Sequence, residues 1–408
     1  MRIKLGFILC CLAWGAHAQP VAWHAAPDPL PKPAIANELH FPGGDSAFMR
    51  VWQKMDTLIF KGQGNVNWVH IGGSHVQAGL LTDVIRYRLQ AIAPGLDGER
   101  GFFFPYRAAR TNNPFSYKVI TTGEWTGQRC SVPSHEGPWG VSGLRGWTTD
   151  STATVRVYGR DEPLQFRQLR VFAAPDSSSM RVDFAKASPQ PDTVWYSPDI
   201  QAYEAQWHEL QDTIYFGLAS DTSTQSYFSL EGLQVLRDDM GIRYHAIGAN
   251  GAATHSYLKC ERFVDQLQAF PPDVVIWGLG INDAYKRPGH FDTIEYVAHY
   301  DSLVAWVKQV NPEATFIWVT NNDSRYKGSY NPHGELVRRA MYRLAAKHGG
   351  AVHDFYTMMG GKQSMNYWIR KGWGNRDGIH MLRPGYAIQA IWLAEAIQEE
   401  YLKHFRHE

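Results

Sequence analysis

Cysteine is scarce in this chain. Of its 4 cysteines, Cys10 and Cys11 lie in an apolar leader, which leaves only Cys130 and Cys260. Two cysteines make no disulfide framework, and a C-x-x-C zinc pattern is absent. Whether the two pair in an oxidising compartment stays open. An excess of one charge is missing too: 40 Lys and Arg face 39 Asp and Glu, for a formal net charge of +1. That balance argues against a nucleic-acid partner and against an anionic membrane surface. After the leader no apolar run is long enough to span a bilayer. Internal repeats and low-complexity tracts are also lacking.

What is present suits a folded protein. Hydrophobic residues make up 44% and charged ones 19%, and a length of 408 residues fits two domains. Aromatics are plentiful, with 15 Trp and 20 Tyr. Flat rings of this kind serve either sugar binding or core packing. The first residues, M-R-I-K-L-G-F-I-L-C-C-L-A-W-G-A-H-A, place Arg2 and Lys4 before an apolar stretch from Leu5 to Trp14. Ala16-His17-Ala18 then supplies a small-residue cleavage site, so residues 1–18 read as a secretory signal peptide. Lipoprotein processing at Cys10 or Cys11 fits less well, because little of the apolar region would precede the cut. The expected location is therefore periplasmic or secreted.

Residues 19–45, rich in Pro, Ala and His, read as an extended lead-in. Apolar residues at helical spacing predict a helix over 46–61, and N-V-N-W-V-H-I-G-G-S-H, residues 65–75, reads as a buried strand ending in two glycines. A helix is expected from about 79 to 92. The texture then changes. Residues 107–237 lose helical periodicity and show about seven or eight short alternating runs between turn residues, which predicts an inserted all-β module of sandwich or jelly-roll type. From 238 to 408 strands and helices alternate again. Strands are expected at 242–248, 273–280, 314–320 and 351–356, and helices at about 253–269, 293–310, 333–348 and 384–404. Asp292 and Glu295 suit a capping box on the second of these helices. Such alternation implies a parallel sheet of about five strands with helices on both faces, built from 46–106 and 238–408.

The chemistry-bearing clusters all fall at carboxyl ends of strands, where open α/β sheets gather their ligands. Ser74 follows the first strand, I-G-A-N-G-A (247–252) the second and G-L-G-I-N-D (278–283) the third, while R-D-G-I-H (376–380) precedes the last helix. A serine hydroxyl needs a base to take its proton, and His380 supplies one. Asp377, three residues earlier, can hold that imidazole in the required tautomer. The Ser74 and Gly251 amides and the Asn282 side chain are candidate oxyanion donors. No metal and no cofactor is needed. Each cluster alone has an ordinary explanation as a turn or a helix cap. Position 76 is Val, which rules out the G-x-S-x-G elbow of α/β-hydrolases.

Ser74, Gly251, Asn282 and His380 occur in the order of the four blocks of SGNH (GDSL-like) hydrolases, and G-I-N-D and D-G-I-H resemble the third and fifth blocks. This resemblance implies a flavodoxin-like three-layer α/β/α fold, ester hydrolysis, and Ser74, Asp377 and His380 as catalytic residues. The β insert, together with G-S-H-V-Q-A-G, G-E-R-G-F-F-F-P and M-G-G-K-Q-S-M-N-Y-W, resembles peptidoglycan O-acetylesterases. In one respect the chain departs from the pattern: the family's G-D-S block reads G-G-S, with Gly73 in place of Asp.

The resulting expectation is a serine esterase that removes O-acetyl groups from a polysaccharide, peptidoglycan first among them. An O-acetyltransferase would use the same triad, and a weakly catalytic carbohydrate-binding protein is the reading from another class. His75, Asn250 and Trp368 are the candidates for touching substrate, with a structural role open for His75 and packing for Trp368.

Overall fold

Trp68 leaves its strand on one face and Val69 on the other, and that alternation organises the centre of the molecule. In the computed structural model, residues 26–160, 162–237 and 240–407 are described, with no side-chain account for 405–407. The signal peptide expected over 1–18 and the first part of the lead-in lie outside these residues. Five strands form a wholly parallel sheet: β1 (Asn65–Gly72), β2 (Gly241–Gly248), β3 (Val274–Gly278), β4 (Thr315–Val319) and β5 (Ala351–His353). Their spatial order is β2-β1-β3-β4-β5. This is the flavodoxin-like order, whose switch point lies between β1 and β3.

Both faces of the sheet are covered, so its strands read as nearly unbroken apolar runs. Val66, Trp68, Val274, Ile276, Ile317 and Val319 pack with helices Met49–Lys61, Leu80–Gln90 and Arg383–His407. Val69, Ile71, Val275, Trp277, Phe316 and Trp318 pack with Thr293–Val310 and Gly334–His348. This is the expected three-layer α/β/α arrangement. The second apolar cluster continues without a break into the β region through Phe102, Phe172 and Phe270. No helix among the described residues is long and apolar enough to cross a membrane.

Between β1 and β2 the chain forms antiparallel sheets of five, four and three strands, more strands than the alternation pattern shows. The strand Gly101–Phe103, ahead of the expected junction at 106/107, already belongs there, since it pairs with Gly232–Leu236.

Three local expectations change. The helix expected over 253–269 is two short helices, Thr254–Tyr257 and Phe263–Leu267. Residues between them and in the second helix dock on the β module instead of continuing one long helix. Glu261 accepts from the Trp139 amide, Arg262 pairs with buried Glu231, and Gln266 accepts from the Val141 amide. The last strand stops at His353, because Asp354 caps the helix Phe355–Met358. Asp292 does cap Thr293–Val310, accepting from the Ile294 and Glu295 amides at 2.7 and 3.1 Å. Glu295 does not return the bond that a capping box requires; its carboxylate lies 3.9 Å from both Lys286 and His299.

Candidate active site

The end of β1 is tied to its neighbours before any catalytic group is reached. The Gly72 carbonyl accepts from the Ala249 amide at 3.2 Å and from the Tyr257 hydroxyl at 2.9 Å. This fixes the loop after β2 against the turn that carries Ser74. The chain then enters a single helical turn, Ser74–Gln77, closed by Gln77 N–H to Gly73 O. Ser74 stands at the amino end of that turn, where backbone N–H groups have no helical acceptor.

Its Oγ lies 2.8 Å from His380 Nε2. On the other side of the ring, His380 Nδ1 lies 2.7 Å from Asp377 Oδ2. Asp377 Oδ1 accepts from the Ile379 and His380 amides at 2.8 and 2.9 Å. Partial burial works against the charged carboxylate. The hydrogen bonds from the His380 ring and from the two amides outweigh it, and the Asp377 pKa falls below its ordinary value. With Nδ1–H donated to Asp377, Nε2 carries the lone pair that faces the serine hydroxyl. The loop is held from outside as well. The Arg325 amide donates to Gly378 O at 2.8 Å, and Asn322 Nδ2 donates to Ile379 O at 2.9 Å.

Asn282 meets the Ser74 turn directly, and Gly251 lies in the loop after β2, next to Ala252, whose carbonyl Asn282 holds. Asn282 Nδ2 donates to Ala252 O at 2.9 Å, which fixes the amide's rotation and leaves a second N–H for a ligand. A Cβ built on Gly73 would lie 3.0 Å from that nitrogen, so Asn282 sits directly over the residue preceding the serine. Among the described residues neither the Ser74 nor the Gly251 amide has a protein acceptor. Gly251 takes φ 76°, a left-handed conformation that glycine adopts freely. Gly280, in G-I-N-D, takes φ 141°, and a Cβ there would lie 2.6 Å from Tyr296 Oη. Only glycine fits. Tyr296 and Tyr300 both donate to Leu279 O, which fixes the strand end from which Asn282 projects.

The three residues expected to touch substrate are placed differently. Trp368 is a correction: it is 2% exposed, donates Nε1–H to Met359 O, and packs edge-on against Phe355, Trp373 and Trp392. An indole sunk among other rings in the core cannot face a ligand. Asn250 is spent on bracing, as its amide donates to Gln77 Oε1 and its side chain to Thr111 and Asn112. His75 stacks on His380, ring centroids 5.3 Å apart at 29°, and meets Tyr386 edge-on at 5.5 Å. Its Nε2 is buried without a partner. Burial above all, then the charge of His380, lowers its pKa to about 3 against the opposing pull of Asp377, so the ring is neutral at working pH.

Two contributors escape a reading of the sequence. Buried Gln77 links Asn250, Thr111 and Asn112; its only signal is its place three residues after Ser74, on the same face of the turn. Asp283 is the other. It accepts from the Thr254 amide and hydroxyl, joining the loop after β2 to the loop after β3. Beyond Thr111 and Asn112 an open cleft of about 520 Å³ runs along Arg107, Arg110, Thr121 and Trp125.

Residues 216–388 match the GDSL-like Lipase/Acylhydrolase family. The matched stretch contains Gly251, Asn282, Asp377 and His380 and leaves out Ser74. A solved structure of a peptidoglycan O-acetylesterase is similar over 90% of this chain and 99% of its own, with a TM-score of 0.69 and 21% identity. An acetylxylan esterase from Geobacillus stearothermophilus is similar over 39% of this chain and 73% of its own, with a TM-score of 0.30 and 20% identity. A carbohydrate esterase family 3 structure from Talaromyces cellulolyticus is similar over 41% and 74%, with a TM-score of 0.31 and 17% identity. No curated protein matches. The resemblance drawn from the motifs is thus matched in sequence over residues 216–388, and over nearly the whole chain the fold is similar to that of the peptidoglycan O-acetylesterase structure.

Proposed function

We propose that this protein is a periplasmic or secreted esterase that removes O-acetyl groups from a polysaccharide, peptidoglycan in the first place. One observation carries the reading: Ser74, His380 and Asp377 form a continuous hydrogen-bonded chain, with Ser74 Oγ 2.8 Å from the base and the base 2.7 Å from its carboxylate. That is a nucleophile with an oriented base and no further requirement.

The reaction follows from the geometry. Ser74 Oγ attacks the acetyl carbonyl carbon while its proton passes to His380 Nε2. The oxyanion is taken up by the Ser74 and Gly251 amides and by Asn282. Collapse breaks the bond to the sugar oxygen, which leaves with the proton from His380, and Ser74 is acetylated. Water then attacks, with His380 as base, and acetate departs. Asp377 stabilises the imidazolium at both stages.

The polymeric substrate is supported by the open cleft of about 520 Å³ beyond Thr111 and Asn112, and by solvent access to the triad, where the His380 and Asp377 side chains are 37% and 40% exposed. Peptidoglycan is supported by the similar structure's own substrate and by the leader, which directs the chain out of the cytoplasm. The test is acetate release from O-acetylated peptidoglycan beside acetylated xylan, with and without added oligosaccharide. Release faster from peptidoglycan and undiminished by oligosaccharide is expected. Acetyl transfer to the oligosaccharide in place of release would make the protein a transferase, and preference for xylan would reassign the polymer.

A further inference from the structure

Behind the oxyanion turn lies a second cluster of side chains that the hydrolytic reaction does not use. His255 comes from the short helix Thr254–Tyr257, His299 from the helix Thr293–Val310, and Asp283 from the loop after β3, directly beside Asn282. One nitrogen of each histidine and one carboxylate oxygen of Asp283 all lie within 4.8 Å of one another. We propose that His255, Asp283 and His299 form a binding site for a zinc-type divalent cation, with solvent completing its coordination.

The distances fit this with a small adjustment. Three points no more than 4.8 Å apart share a centre within about 2.8 Å of each. Zinc takes imidazole nitrogen and carboxylate oxygen at about 2.0–2.2 Å, so each donor moves inward by about 0.7 Å. A rotation of the imidazole or carboxyl group supplies that. Two imidazoles and one carboxylate also suit zinc or a similar transition metal, and not magnesium or calcium, which favour oxygen donors.

The charge balance points the same way. Asp283 is 5% exposed, and among the described residues no lysine or arginine forms an ion pair with it. Such a carboxylate is costly in a protein interior unless a cation or hydrogen bonds compensate it. Thr254 supplies the hydrogen bonds and holds the donors together. Its hydroxyl donates to Asp283 Oδ1 and lies 3.0 Å from His299 Nδ1. Outer-sphere bonds of this kind orient metal ligands. The exposed face of the cluster carries Glu295, whose carboxylate is 3.9 Å from His299 Nε2 and from Lys286 Nζ. A bound cation would neutralise Asp283 and hold the Asn282–Asp283 turn from the side away from Ser74.

The test is binding, and it needs no turnover. Full-length, tag-free protein treated with a chelator is titrated with zinc chloride by calorimetry, and with cobalt(II) by visible absorbance. One equivalent per chain is expected. Affinity should fall about 10–100-fold in His255→Ala and in His299→Ala, and stay unchanged in Ser74→Ala and Asp377→Asn. Zinc should also raise Tm in the wild type and in Ser74→Ala, but not in His255→Ala/His299→Ala. Absence of saturable zinc binding, or binding that survives the double substitution, overturns the site. So does binding lost in Asp377→Asn, which would place the ion at the triad. Should the double variant fail to fold, the single substitution of exposed His255 decides by itself. An inactive esterase that still binds zinc with these dependences would separate the two proposals.

Discussion

Gly73, where the family pattern has Asp, is the position whose substitution says most about the oxyanion donors. Its φ of −95° lies outside the left-handed range, so a positive φ does not impose the glycine. Space does. A Cβ at 73 would stand 3.0 Å from Asn282 Nδ2, 3.3 Å from Ala252 O and 3.8 Å from Ala249 O. The first distance requires Asn282 to give by a few tenths of an ångström, and oxyanion donors act within a range of only about 2.7–3.1 Å. Gly73→Ala should therefore lower kcat about 10-fold with KM little changed. Gly73→Asp adds a carboxylate that can capture Asn282 Nδ2 while crowding two carbonyl oxygens. It should approach the loss expected for Asn282→Ala, about 10²–10³ in kcat, which is the usual effect of removing one such donor. The assay is steady-state hydrolysis of 4-nitrophenyl acetate by the three variants, with circular dichroism to confirm folding. A Gly73→Asp protein with kcat at or above wild type would mean that Asn282 is indifferent to what presses on it and is no oxyanion donor.

Other substitutions follow from the same geometry. Trp368→Ala should cost about 3–5 kcal/mol in chemical unfolding, as a large core side chain does, with KM unaltered in the fraction that stays folded; a raised KM at native stability would restore Trp368 to the substrate. His75→Ala should lower kcat without changing KM, and His75→Phe, which keeps a neutral ring against His380, should recover most of the loss; a rise in KM alone would mean that His75 contacts substrate. Asp377→Asn should lower kcat by about 10⁴, the size of effect seen when a triad carboxylate loses its charge. It should also alter the pH dependence of stability. Because the folded pKa of Asp377 lies below its unfolded value, its stabilising contribution is fully present above the ordinary carboxylate pKa of about 3.9 and fades as pH falls below it. The Tm difference between wild type and Asp377→Asn should be constant from about pH 5 upward and narrow below about pH 4; a difference that widens in acid would contradict the sign.

The α/β half was legible because its strands are buried on both faces and its helices keep one apolar stripe. Those patterns survive in sequence. The β module was legible in kind but not in detail. Strands such as Thr126–Arg129 are short and polar, and Ala202–Gln211 buries Glu204 against Arg170, Gln168 and Ser197, which hides the apolar alternation. The break in the helix expected over 253–269 was not legible, since it comes from contacts with Trp139, Val141 and Glu231 far away in the chain. The meeting of Ser74, Asp377 and His380 was legible because a parallel sheet brings its carboxyl ends to one edge, so their order along the chain carried the geometry. Trp368 shows the limit of that logic: an aromatic residue in a loop near the site reads the same whether it faces solvent or the core. The cluster of His255, Asp283 and His299 had no signal at all, because two helices and a loop must assemble before the three meet.

The most direct measurement is acetate release from O-acetylated peptidoglycan by wild type and by Ser74→Ala, side by side at equal folded concentration. Release by the wild type and only background from Ser74→Ala is expected. Equal release from both proteins would contradict it, because the hydroxyl 2.8 Å from His380 would then not be the nucleophile.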